Sequence, residues 1–173
     1  MIELEAANQA QLQAKGKNKI ILLLDDVRSM QNVGSLFRTA DAMGIEALYI
    51  CGYSPCPPHR DIQKTALGAT ETVTWRYFET IKDAIAYCKE QQYIVCGVEQ
   101  THNSTALQDF NPDRSKTYAL ILGNEVQGIN DEALALCDYC IEIPQWGEKH
   151  SHNITVSAGI VLWDLIAKLN FKN

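Results

Sequence analysis

Ile20-Ile21-Leu22-Leu23-Leu24 is an unbroken apolar run that stops at Asp25-Asp26, and a helical pattern follows it directly. A strand that is apolar at every position has no solvent face, so it suits a parallel sheet covered on both sides. Val33, Leu36, Phe37, Ala40 and Met43 then recur on one face of a helix, and Gly44 is placed to end it. Ala47-Leu48-Tyr49-Ile50-Cys51 returns as a second strand.

The same alternation continues downstream. Tyr53 to His59 reads as a proline-rich loop, Ile62 to Leu67 as a short helix before Gly68, and Thr72 to Trp75 as a strand. Thr80 to Gln91 reads as a helix with Ile81, Ala84, Ile85 and Cys88 inward. Tyr93 to Val98 and Tyr118 to Leu122 are buried strands on either side of a polar loop. Asp131 to Leu136 is a helix and Tyr139 to Ile143 a strand, and a last helix carries Ile154, Ala158, Val161, Leu165 and Leu169. This order predicts an α/β fold with a mostly parallel sheet and helices on both faces. Residues 19–173 read as one domain without repeat or linker, and residues 1–18, rich in Gln and Ala, as an N-terminal helical extension.

A chain of 173 residues, 46% hydrophobic and 21% charged, has the composition of an ordinary globular domain with a substantial core. The acidic start, Met1-Ile2-Glu3-Leu4-Glu5, lacks the pattern of a signal peptide, and no apolar run approaches the roughly 20 residues of a membrane span. A cytoplasmic protein is therefore expected, with no membrane partner. The net charge of −6 argues against a broad nucleic-acid footprint. It leaves room for a local patch, since Lys15, Lys17, Lys19, Arg28, Arg60 and Lys64 fall in the first 64 residues. Cys137-Asp138-Tyr139-Cys140 has metal-ligand spacing, but no second pair completes a site, so the expectation is buried thiols, no disulfide and no metal. His59, His102 and His150 show no ligand spacing.

Three segments carry chemistry. Asn32-Val33-Gly34-Ser35-Leu36-Phe37-Arg38-Thr39-Ala40 holds a polar residue at a helix start and an arginine on the polar side. Asn32 fits a helix cap as well as a site residue. Leu122-Gly123-Asn124-Glu125-Val126-Gln127-Gly128 is a glycine-bounded turn after a strand, where parallel α/β folds place ligands. It has neither the Gly-Lys-Ser/Thr of a Walker loop nor a dinucleotide fingerprint. Ile143-Pro144, then Ser151-His152-Asn153-Ile154-Thr155-Val156-Ser157-Ala158-Gly159-Ile160, leads into the last helix, and Ser151 or Asn153 fits its N-cap.

Taken together and in this order, these segments resemble the three motifs of the SpoU-type, TrmH-like RNA 2′-O-ribose methyltransferases of the SPOUT superfamily. The resemblance runs from about Ile20 to Leu169. It implies a deep trefoil knot from about Tyr93 onward, S-adenosylmethionine as cofactor, RNA as substrate and a homodimer whose sites draw on both subunits. Arg38, Asn32, Glu125, Ser151 and Asn153 match the catalytic positions. Val98, Leu122, Gly123, Ile143, Pro144, Ser151 and His152 match the cofactor-binding ones. Gly123 would let the backbone approach the cofactor, and Glu125 would stabilise nearby cations, Arg38 included. The family assigns to Arg38 the removal of the 2′-hydroxyl proton. Arginine all but never loses its own proton, so holding phosphate and orienting the hydroxyl is the other role open to it. The chain departs from the family at Gln145, where Met is common, and at His152, where Leu is common. Compact members that methylate a tRNA wobble ribose are nearest in size, which ranks tRNA above rRNA. A non-catalytic SPOUT-like scaffold and a nucleotide-binding oxidoreductase are the competing readings.

Overall fold

A computed structural model of the chain describes residues 16–148 and 151–170; the expected N-terminal helix lies outside them. Seven strands form one sheet: β1 (Asn18–Asp25), β2 (Ile45–Cys51), β3 (Trp75–Phe78), β4 (Ile94–Val98), β5 (Thr105–Ala106), β6 (Tyr118–Leu122) and β7 (Tyr139–Glu142). Their spatial order is β3-β2-β1-β6-β4-β7-β5, and every pairing is parallel. Six helices connect or follow them: α1 (Met30–Ala42), α2 (Arg60–Ala66), α3 (Ala69–Thr72), α4 (Ile81–Glu90), α5 (Asp131–Leu134) and α6 (Ile154–Asn170).

Alternate residues of β1 serve two cores. Ile20, Leu22 and Leu24 pack with α1, α2 and α6, including Phe37, Ile62 and Val161. Ile21 and Leu23 pack with α4 and α5, including Ile85 and Ala133. All five side chains are at most 1% exposed. This two-sided burial is what the unbroken apolar run requires, and it puts helices on both faces of the sheet.

α1 lies close against α2 at Gly34. A Cβ at Gly34 would fall on Thr65 Oγ1 and Ile62 O, and Thr65 Oγ1 donates to Gln31 O at 3.1 Å across the same crossing. Backbone cannot yield to a methyl as a flexible side chain can. Gly34→Ala is therefore expected to cost about 2–3 kcal/mol, read as a lower urea midpoint with an unchanged slope.

Local differences from the expected elements have physical causes. The strand expected at Thr72–Trp75 begins only at Trp75, which pairs with Leu48. Thr72 belongs to the one-turn α3, and Val73 is spent on the core just beyond it. α5 ends at Leu134, two residues early, and Cys137 follows it with its thiol donating to Ala133 O at 3.4 Å. β5 arises inside the expected polar loop, where Thr105 and Ala106 pair with Ile141 and Glu142. Cys140 is half-buried in β7, and all six cysteines are free thiols.

The sheet presents its C-terminal edge as a working surface. The chain runs outward from β1 to β3, then returns to lay β4 and β6 on the other side. Leu24 lies level with Leu122, and Val98 with Ile141. The loops after β1, β6, β4 and β7 therefore meet at a point where strand order reverses, the usual ligand crevice of open parallel sheets.

Candidate active site

Glu125 ties two of the three sequence segments together. Its carboxylate accepts from the backbone N–H of Arg28 at 3.1 Å and of Ser29 at 3.2 Å, and from Asn32 Nδ2 at 2.9 Å. Burial alone would raise this carboxyl, but the bonds from Asn32, Arg28 and Ser29 outweigh it and hold it below the usual glutamate range. Glu125 is thus an anion at neutral pH, committed to the N-terminal turn of α1.

Asn32 is free for that bond because it does not cap α1. Ser29 does: its hydroxyl accepts from Asn32 N at 3.2 Å. Asn32 Oδ1 in turn accepts from Asn153 Nδ2 at 3.4 Å, which brings in the third segment. Asn153 combines both expected roles, because its Oδ1 also accepts from Thr155 N at 2.9 Å at the start of α6. One hydrogen-bonded line therefore runs Glu125–Asn32–Asn153.

The loop after β6 is closed on itself. Asn124 N donates to Gly128 O and Gly128 N to Asn124 O, at 3.1 and 2.9 Å. Asn124 Oδ1 collects Val126 N and Gln127 N, while its Nδ2 donates to Asp26 O at 2.8 Å. A Cβ at Gly123 would fall on the backbone of Gly128 and Ile129, so this glycine is needed for the loop to fold back at all. Asn124 and Glu99 are site residues that sequence reasoning missed. Asn124 lies inside the second segment with no signal of its own, and Glu99 belongs to no motif; its only signal is its place directly after a strand.

A cavity of about 730 Å³ opens between these loops. Val98, Leu122, Gly123, Ile143, Ser151 and His152 line it, as do Glu125 and Asn153. Pro144 does not; it faces a second, mostly apolar cavity of about 930 Å³ with Trp146, Ile160 and Trp163. Ser151 and His152 border both. Arg38 stands apart, exposed on α1 outside either lining. The described lining of the first cavity holds Glu99, Glu125 and Asp131 but no lysine or arginine, a polarity that favours a cationic ligand.

Beneath this edge, Asp25 is 5% exposed at the end of β1. Burial, with help from Asp26, pushes its carboxyl up to about 6, and a hydrogen bond from Asn130 opposes the rise only in part. A folded-state value above the unfolded one gives stability that is complete below pH ~4 and lost as pH rises through ~6. Asp25→Asn is expected to remove that loss. It should stabilise the protein at pH 8 by up to about 3 kcal/mol and have little effect at pH 4, measured by urea unfolding at both.

The profile of the SpoU rRNA Methylase family matches residues 19–163. The chain is 30% identical over 154 residues to the 23S rRNA (guanosine-2'-O-)-methyltransferase RlmB of Neisseria meningitidis, covering 89% of this chain and 60% of that protein. It is 30% identical over 169 residues to the tRNA (guanosine(18)-2'-O)-methyltransferase TARBP1 of Mus musculus, covering 94% of this chain and 10% of that one. Among solved structures it is similar to the AdoMet-bound rRNA methyltransferase from Sinorhizobium meliloti, with TM-score 0.81, 25% identity, and coverage of 88% of this chain and 57% of that chain. The chain spans 60–64% of the length of the first bacterial relatives it matches.

Proposed function

Because the chain belongs to the SpoU rRNA Methylase family, we propose that it transfers a methyl group from S-adenosylmethionine to a ribose 2′-oxygen of RNA. The observation that carries this reading is the line Glu125–Asn32–Asn153, which assembles all three segments around one cavity. The cofactor fits the site's chemistry. Its sulfonium suits a cavity lined by carboxylates, and its adenosyl group suits the apolar Val98, Leu122, Ile129, Leu134 and Ile143. When bound, it supplies an activated methyl, so the ribose oxygen can attack in line with S-adenosylhomocysteine leaving. The protein's own work is to place the hydroxyl and ease proton loss.

Within this reading, Val98, Leu122, Gly123, Ile143, Ser151 and His152 hold the cofactor, and Pro144 shapes the segment from below. Asn32, Glu125, Ser151 and Asn153 order the acceptor side. Arg38 comes from a second copy of the chain, which agrees with its exposure and its place outside both linings. A homodimer would also cover the apolar face at Trp146 and Trp163, which are 93% and 61% exposed. Trp163→Glu is expected to yield monomers in sedimentation, with AdoMet affinity kept and methyl transfer lost; a dimer of unchanged strength would place the interface elsewhere.

The reading includes a knotted C-terminal part. Its support is that the stretch between β5 and β6 lies against α6: Lys168 Nζ donates to Leu107 O at 2.6 Å and Arg114 Nε to Lys168 O at 3.3 Å. An experimental chain trace in which residues 107–117 fail to encircle the later chain would remove the knot. Residues 19–173 act as one domain in the cytoplasm, where RNA substrates are at hand.

For the RNA itself, tRNA is the first choice and rRNA the second; the mouse and Neisseria relatives support one each. Labelled S-adenosylmethionine offered with total tRNA and with rRNA, each from cells lacking the modification, decides between them. Label in tRNA alone supports the first choice. Label in rRNA alone replaces it, and label in neither, with cofactor bound, favours a scaffold.

A further inference from the structure

We propose that Glu99 reads the ribose of the adenosyl group, accepting hydrogen bonds from its vicinal 2′- and 3′-hydroxyls. This rests on the reading that the 730 Å³ cavity takes S-adenosylmethionine.

Glu99 is the first residue beyond β4, and its position is fixed. Its N–H donates to Ile141 O at 3.0 Å, extending the β4–β7 pairing by one step. Its half-buried carboxylate lies against the Asn124–Gly128 loop, where Oε2 accepts from Ile129 N at 3.2 Å. Oε1 accepts from Gln100 N at 3.2 Å. Gly128 makes the room: a Cβ there would fall on Glu99 Oε2, and its φ of +70° is one that side chains disfavour. The loop is thus built around this carboxylate.

A carboxylate can accept about four hydrogen bonds, and among the described residues two are taken here. Toward the described residues one acceptor position stays open on each oxygen, at the wall of the cavity. Glu125, by contrast, already receives three donors from the α1 side and its own segment besides. No lysine or arginine of the described lining is available to neutralise Glu99. Its open positions therefore call for donors on the ligand. A vicinal diol offers two O–H groups side by side, the match for two carboxylate oxygens. An acidic side chain just past a parallel strand serves the same end in dinucleotide-binding sheets. Val98, Ile129 and Leu134 give the flanking walls the apolar character an adenine ring needs.

The test is calorimetric titration of the full chain and of Glu99→Gln with S-adenosylhomocysteine and with its 2′-deoxy and 3′-deoxy analogues. Glutamine keeps the shape and one acceptor for the loop. The wild type should bind at least one deoxy analogue about 10-fold more weakly than the parent. Glu99→Gln should bind the parent about 10-fold more weakly, with no further loss on removing a hydroxyl. Equal deoxy penalties in both proteins would overturn the inference and leave Glu99 as a prop for the loop. Failure of the wild type to bind S-adenosylhomocysteine at all would overturn the reading of the cavity, and this inference with it.

Discussion

Arg38→Ala is expected to lower methyl transfer by about 10²-fold or more while leaving S-adenosylmethionine affinity within about twofold, as loss of one preorganised donor does at other active sites. The two halves of this expectation have separate origins. Arg38 lies outside the cavity lining, so the cofactor should not register its loss. Its guanidinium, permanently charged and forked, is suited to holding a phosphate and steering the adjacent 2′-hydroxyl. If the residue is supplied by a second copy, mixing Arg38→Ala with Glu125→Ala should restore activity that neither has alone, because some heterodimers carry one intact site. Mixtures as inactive as their components would place Arg38 and Glu125 in the same site of one subunit. Turnover by Arg38→Ala equal to wild type would remove its role altogether.

Glu125→Ala should cost both stability and turnover. It strips the acceptor from Arg28 N, Ser29 N and Asn32 Nδ2 at once. The carboxylate is exposed, so water can replace much of what is lost, and the stability cost should stay near 1–2 kcal/mol. Turnover should fall far more, about 10²-fold, because Asn32 loses the anchor that aims it at Asn153. Glu125→Gln should retain the Asn32 contact and recover part of this loss. The pH signature has a definite sign. The folded carboxyl sits below its ordinary value, so its stabilising contribution is present above about pH 4.5 and fades as pH falls. The acid limb of the wild-type stability curve should therefore flatten in Glu125→Gln. An unchanged limb would mean the carboxylate does not hold the loop to α1.

The sheet was legible because its strands are apolar at nearly every position. Ile20–Leu24 and Tyr118–Leu122 admit few other readings, and both lie at the centre. The edges were less so. β5 is two residues long and owes its existence to Ile141 and Glu142 across the pairing, a cause that Thr105 and Ala106 do not display. β3 was placed three residues early because Thr72-Val73-Thr74 has the β-branched look of a strand, yet Val73 is drawn into the core by α3.

The site divides in the same way. Asn32, Glu125, Ser151 and Asn153 stood out by motif, and the geometry joins three of them by hydrogen bonds. The cap of α1 was not legible, since Ser29 and Asn32 are both good cap residues; Glu125, 93 positions away, decides which is released. Glu99 was missed for a related reason. Its meaning comes from Gly128 and Ile129 across the crevice, and no local spacing encodes that contact.

The most direct test of the central claim is the chemical position of the transferred methyl. RNA methylated by the purified protein would be digested to nucleosides and fragmented in a mass spectrometer, with Arg38→Ala as control. The added mass should travel with the ribose and the modified linkage should resist alkali, with both signals lower by about 10²-fold or more in the control. A methyl carried on the base, or equal labelling by Arg38→Ala, would contradict ribose 2′-O-methylation by this site.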